Sequence, residues 1–125
     1  MAFILGNCYT RQEIHDLTGG GDLQTFLPNS NGKILCACLS QEYGPGIRPV
    51  ILVGQGPTVQ REAEMFCKQA EAVPVFYKKK ANQWEYTGIF LPEKWTEDPG
   101  EIDETAESAG RINLTKIIFL RRIDI

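Results

Sequence analysis

Between Val75 and Phe90 the chain reads VFYKKKANQWEYTGIF, a stretch whose residue types suit the grip of a flat, charged ligand. Lys78, Lys79 and Lys80 stand between one aromatic pair, Phe76 and Tyr77, and another, Trp84 and Tyr86. Aromatic faces stack on nucleobases with little regard to base identity, and ammonium groups hold the flanking phosphates. If both halves are strands, alternation places Trp84, Tyr86 and Gly88 on one face and Glu85, Thr87 and Ile89 on the other. Gly88 then leaves space beside the two rings, and Tyr77 joins them across the hairpin if the register allows. A second reading puts the rings in the core and the lysines on a solvated turn, and pattern alone favours it.

Other stretches carry weaker signals. VGQGPT, from Val53 to Thr58, sets a Gly-x-Gly turn between a strand and a helix N-terminus. Free N–H groups there favour an anion, so Gln55 and Gly56 are candidates for a phosphate contact. The stretch lacks the Gly-Lys-Ser/Thr of a nucleotide-binding loop, and Val59 takes the place of the third glycine of a dinucleotide fingerprint. A plain tight turn is the simpler reading. The one histidine, His15, has no serine or cysteine at motif spacing, so no catalytic triad is expected. Cys8, Cys36, Cys38 and Cys67 contain no C-x-x-C, which argues against zinc and for buried, reduced thiols. Cys36 and Cys38 should share one strand face. No catalytic residue, metal or cofactor is expected.

The elements that must position these residues follow from pattern. Thr10-Arg11-Gln12-Glu13 has capping-box spacing and opens a helix with Ile14 and Leu17 on its apolar side, closed by Gly19 to Gly21. A turn over Pro28 to Gly32 leads into a strand at about Lys33 to Leu39. VILVG, from Val50 to Gly54, reads as a fully buried strand. Thr58 caps a second helix reaching about Ala70, with Val59, Ala63, Phe66 and Ala70 in one stripe. The aromatic-lysine stretch is a hairpin. Pro92 to Gly110 reads as an acidic surface excursion with a helical turn near Ile102, before one or two closing strands.

At 125 residues with net charge −3, the chain is one domain by length. The charge is segregated: residues 93–108 carry seven acids against one lysine, and the rest carries nine acids against twelve bases. Mild basicity outside the acidic segment permits a polyanionic partner. No apolar run reaches the roughly 18 residues of a membrane span, so the expected location is the cytoplasm and no membrane partner is expected. The predicted class is α+β: a small, mostly antiparallel, twisted barrel with two flanking helices.

The order YTRQEI…GG, VILVGQGP, then VPVFYKK…QWEYTGIF resembles the SRA-like (PUA-like β-barrel) domains attached to McrA-type HNH restriction proteins. The likeness runs from about Tyr9 to Leu91. It implies a reader of modified cytosine, such as 5-methylcytosine, in double-stranded DNA, which flips the base into an aromatic pocket. The string Tyr86-Thr87-Gly88 matches a pocket motif of better-known SRA domains. The resemblance implies Tyr86 as the stacking ring, Thr87 as a hydrogen-bonding residue, and Tyr77 or Trp84 as the second ring. Those domains read the base edge with an aspartate on the preceding loop, and residues 78–83 have none; Asn82, Gln83 or the distant Asp22 are the substitutes. Arg11, Arg48 and the three lysines are the phosphate candidates, with Arg121 and Arg122 behind them. The restriction proteins also carry a nuclease, which this chain does not, so the expectation is binding without cutting, with a separate nuclease or effector in phage defence or restriction. Two rivals stand beside it: a PUA-like module that binds a protein or small molecule, and an RNA-binding relative.

Overall fold

The structure is a computed structural model that describes residues 3–19, 25–40, 50–109 and 113–124, with backbone alone at 105–109. In chain order the elements are β1 (Cys8–Tyr9), α1 (Arg11–Thr18), β2 (Asn29–Ser30), β3 (Lys33–Ile34), β4 (Ala37–Leu39), β5 (Val50–Val53), α2 (Pro57–Gln69), β6 (Val73–Lys80), β7 (Gln83–Thr96), α3 (Pro99–Ala109) and β8 (Lys116–Arg122). The main sheet runs β4-β6-β7-β8-β5, with β1 added to β7; β2 and β3 form a separate hairpin. Every pairing is antiparallel except β4 with β6.

The expected barrel closure is not seen as hydrogen bonds: among the described residues no ladder joins β4 to β5. The two end strands nonetheless meet through their side chains. Ala37 and Leu39 from one end share a core with Ile51 and Val53 from the other, around Val75, Phe90 and Ile118, with Ala63 and Phe66 of α2 as the cover. VILV is apolar at every position because both its faces are covered: Ile51 and Val53 face this core, while Val50 and Leu52 lie in a second cluster with Ile102 of α3.

Local signals shape the elements. Thr10 and Glu13 form a complete capping box, with Thr10 Oγ1 accepting from the Glu13 N–H at 3.1 Å and Glu13 Oε1 accepting from the Thr10 N–H at 2.9 Å. Only half of the expected apolar side is used: Ile14 is buried, but Leu17 is 48% exposed. The second helix starts at Pro57, before Thr58, because proline at the first helical position gives up only an N–H that has no helical partner. The expected Lys33–Leu39 strand is two short strands that pair with different neighbours.

The acidic excursion is the largest departure. β7 continues through Pro92 to Thr96, with a register shift between Pro92 and Lys94 where the missing N–H is tolerated. Asp98 then opens α3, its Oδ2 accepting from the Glu101 N–H at 3.0 Å, and Pro99 begins the helix. Ile102 anchors α3 against Val50, Leu52 and Ile117. Among the described residues no helix is long and apolar enough to cross a membrane.

Among the described residues of α3, Ile102 is the buried side chain that packs it on the sheet. Ile102→Ala should lower unfolding free energy by roughly 2–3 kcal/mol, whereas Leu17→Ala should stay within about 0.5 kcal/mol of the parent. Urea unfolding followed by circular dichroism measures both; equal, small effects would mean that α3 is not packed on the sheet.

Candidate nucleic-acid interface

The start of α1, the end of β4, the β6–β7 hairpin and the Thr25–Phe26 segment enclose an open cleft of about 550 Å³. Arg11 ties three of these elements together. Its backbone N–H donates to Asn82 Oδ1 at 3.0 Å, at the hairpin turn, where Asn82 adopts φ +54°. Its guanidinium donates from Nη2 to the Thr25 carbonyl at 2.8 Å and lies 5.1 Å from the centre of the Trp84 ring. Lys78, the cross-strand partner of Trp84, sets its ammonium 5.8 Å from the same ring. Among the described residues that line the cleft, Arg11 and Lys78 are the charged ones. An indole face attracts cations, so Trp84 holds two positive groups in a cleft whose other walls are mostly polar, with Phe26 and Cys38 as the apolar exceptions.

Support comes from further back. Glu62 of α2 is buried, and it accepts from Asn29 Nδ2 at 2.7 Å and from the Thr25 hydroxyl. Through Thr25 this carboxylate fixes the carbonyl that holds Arg11. Cys38 lies on the cleft wall with Cys36 on the same strand face, as alternation requires. The Cys36 thiol donates to the Cys38 sulfur, which pushes Cys36 up and holds Cys38 below its ordinary value, and Arg11 adds to the lowering of Cys38. Cys67 is buried, and burial pushes its thiol up to about 11. Cys8, contrary to expectation, is exposed.

The four hairpin residues expected to form a base pocket are not brought together. Tyr86 is 6% exposed and packs in a ring cluster, 5.5 Å from Phe3 and 5.4 Å from Phe76. The N-terminal segment covers it: Gly6 donates its N–H to the Tyr86 carbonyl and Tyr86 donates its N–H to the Asn7 carbonyl, each at 3.0 Å. Burial accordingly pushes the Tyr86 phenol up. Tyr77 pairs with Glu85 on the other face and packs against the main core. Thr87 sits at a register shift and donates its hydroxyl to the Val75 carbonyl at 2.9 Å, a structural bond. Nor is there room at Gly88, whose φ is +123°: an added Cβ would lie 2.5 Å from Arg122 Nε, and that guanidinium is bonded to Asp124 at 2.7 Å. Of the four, only Trp84 lines the cleft.

The phosphate candidates divide as well. Arg11 and Lys78 are in the cleft; Lys79 pairs with Glu85 at 3.1 Å on the opposite face, and Lys80 is exposed beside the turn. The Gly56 N–H donates to Gln60 Oε1 at 3.1 Å, and Gln55 is exposed beside it, so this helix start is closed by its own side chain. Arg121 pairs with Glu93 at 3.4 Å. Asp22 and Arg48 lie outside the described residues. Sequence reasoning missed Thr25, Cys38, Ser40 and Glu62. Only Glu62 left a signal, as an acid next to Ala63 in an otherwise apolar helical stripe.

No protein-family model and no curated protein matches the chain. Among solved structures, the crystal structure of the SUVH5 SRA domain in complex with hemimethylated CG DNA is similar with a TM-score of 0.62 and 19% identity, over 100% of this chain and 91% of that one. The likeness shows an SRA-like fold, of mixed α+β class.

If Tyr86 is core, truncating it acts on stability. Tyr86→Ala should cost roughly 3 kcal/mol or more of unfolding free energy, and Gly88→Ala about 1–3 kcal/mol through strain and the displaced Arg122. Thermal melts of the two variants give the answer, and a Tyr86→Ala protein as stable as the parent would return Tyr86 to the list of ligand contacts.

Proposed function

We propose that the chain is a non-catalytic reader of modified cytosine in double-stranded DNA, and that reading takes place in the Arg11–Trp84–Lys78 cleft instead of at Tyr86-Thr87-Gly88. The observation that carries this is the pairing of two cations on one indole ring at the cleft, within a fold whose solved neighbour was crystallised with hemimethylated CG DNA. The cleft volume, about 550 Å³, is in the range of small-ligand pockets and admits a single base. Extruding a base costs a few kcal/mol, and an aromatic contact returns about 1–3 kcal/mol of it. Arg11 and Lys78 supply the salt-dependent remainder by holding the flanking phosphates. Asn82 Oδ1 already accepts from Arg11, which leaves the Asn82 amide N–H groups to donate to the edge of the base. Preference for a modified base then rests on how the 5-substituent meets Phe26 and Trp84 on the cleft wall. Cutting falls to a separate nuclease or effector, of the HNH kind that the sequence resemblance suggests, in cytoplasmic phage defence or modification-dependent restriction.

The test is binding to matched short duplexes with cytosine, 5-methylcytosine or 5-hydroxymethylcytosine at two salt concentrations. A modified duplex should be preferred at both. Arg11→Ala and Lys78→Ala should each weaken binding and lower the salt slope by about 0.9, one phosphate contact each, while Tyr86→Phe should bind as the parent does. Equal affinity for all three duplexes would reject base reading. Tighter binding to a matched RNA would move the proposal to the RNA-binding relative.

A further inference from the structure

Cys38 stands on the wall of the Arg11–Trp84 cleft, and Cys36 lies behind it on the same face of the chain. Cys36 is fully buried and Cys38 is 2% exposed, both in the cluster that holds Trp84. Their sulfurs are in contact, the Cys36 thiol donating to the Cys38 sulfur. The proposed grip on DNA leaves this pair unused.

Three features separate the pair from inert buried cysteine. The contact between the sulfurs already aligns the two atoms that a disulfide would join. Donation from Cys36, and then the nearby Arg11 guanidinium, favour the thiolate at Cys38, and the thiolate is the nucleophilic form. Cys38 also borders an open cleft, through which a small oxidant reaches its sulfur. Cys67 marks the contrast, because burial pushes its thiol up to about 11 and keeps it protonated.

We propose that Cys36 and Cys38 form a dithiol site for a hydroperoxide, closing to a reversible disulfide that loosens the cleft. With hydrogen peroxide, the Cys38 thiolate attacks one oxygen and the O–O bond breaks. The departing hydroxide takes up a proton and leaves as water, and Cys38 is left as a sulfenic acid. The Cys36 sulfur then attacks the Cys38 sulfur, the S–O bond breaks, and the hydroxide leaves with the Cys36 proton as a second water. The two thiols have lost two electrons and two protons to the peroxide. Cys36 precedes the ladder of β4, which begins at Ala37, so its end of the bridge can swing. A bridge across a single residue is strained, and strained disulfides are the readily reduced, regulatory ones. Ala37 and Leu39 are fixed in the main core, so the pull falls on Cys38 and the cleft wall. The bond rests on the thiol geometry, whereas its effect on DNA rests on the reading proposed above.

The test treats the dilute whole chain with hydrogen peroxide, alkylates the remaining thiols and weighs the tryptic peptides. The peptide that starts at Ile34 carries both cysteines. It should appear unalkylated and lighter by two hydrogens before Cys67 is altered, and dithiothreitol should restore both thiols. Cys36→Ala should stop at a Cys38 sulfenic acid that dimedone traps, and Cys38→Ala should leave Cys36 a thiol. Trp84 emission, read in Trp95→Phe protein without DNA, should shift as the bond closes. Oxidised protein should bind the 5-methylcytosine duplex about tenfold more weakly than reduced protein. A peptide that keeps both thiols overturns the proposal, as does oxidation of Cys67 first. A disulfide that leaves both Trp84 emission and duplex affinity unchanged overturns the loosening. If the reduced protein binds no duplex, the DNA reading fails, and the peptide masses and Trp84 emission decide the dithiol site by themselves.

Discussion

One strand has to meet different partners along its two halves while burying residues on both faces. β7, from Gln83 to Thr96, pairs with β1 and β6 over its first half and with β8 over its second. Its side chains alternate between the main core and the ring cluster, so a slip of one residue would exchange Tyr86 and Phe90 for Glu85 and Ile89. The extra residue at Thr87 and the shift beyond Pro92 keep both halves in register with different neighbours. Several other elements are placed by reference to this strand: β1 on its edge, Phe3 over one face, α2 over the other, and α3 as the return to β8.

The cleft inherits its geometry from that arrangement through one side chain. Arg11 starts α1, so the capping box sets where its backbone N–H points, and Asn82 takes that N–H because the hairpin turn holds a positive φ. Glu62 then works from α2, through Thr25, on the other end of the same arginine. A helix start, a turn and a buried acid from three separate parts of the chain thus converge on the face of Trp84. Such convergence holds the guanidinium in a fixed place over the indole ring.

Much of this was legible before any coordinates. Thr10-x-x-Glu13, the apolar VILV run and the hairpin around Asn82 each depend on neighbours a few residues away, and each is found where the sequence placed it; the turn expected over Pro28 to Gly32 is narrower, because Asn29–Ser30 pair with Lys33–Ile34 as a short hairpin. What failed depended on distant parts of the chain. Alternation put Trp84 and Tyr86 on one face correctly, but nothing near them reveals that Phe3 and Asn7 cover Tyr86, or that Arg122 fills the space at Gly88. The acidic segment misled for a different reason. Its charge suggested a solvated loop, while the Asp98-x-x-Glu101 spacing, the same helix-start signature as Thr10-x-x-Glu13, lay unused within it. The cleft wall itself, with Thr25, Cys38 and Ser40, was illegible because it exists only after β4 and α1 meet the hairpin.

The pairing of β1 with β7 also fixes an order of events during synthesis. Cys8 lies opposite Glu85, 77 positions later in the chain. A ribosome adding about 5–20 residues per second leaves the first strand without its partner for roughly 4–15 s. Throughout that interval Phe3 has no Tyr86 to pack on, and long-range pairing of this kind is slow even once β7 is made. The segment from Phe3 to Tyr9 is therefore open to a chaperone, or to a competing sheet edge, until β7 exists.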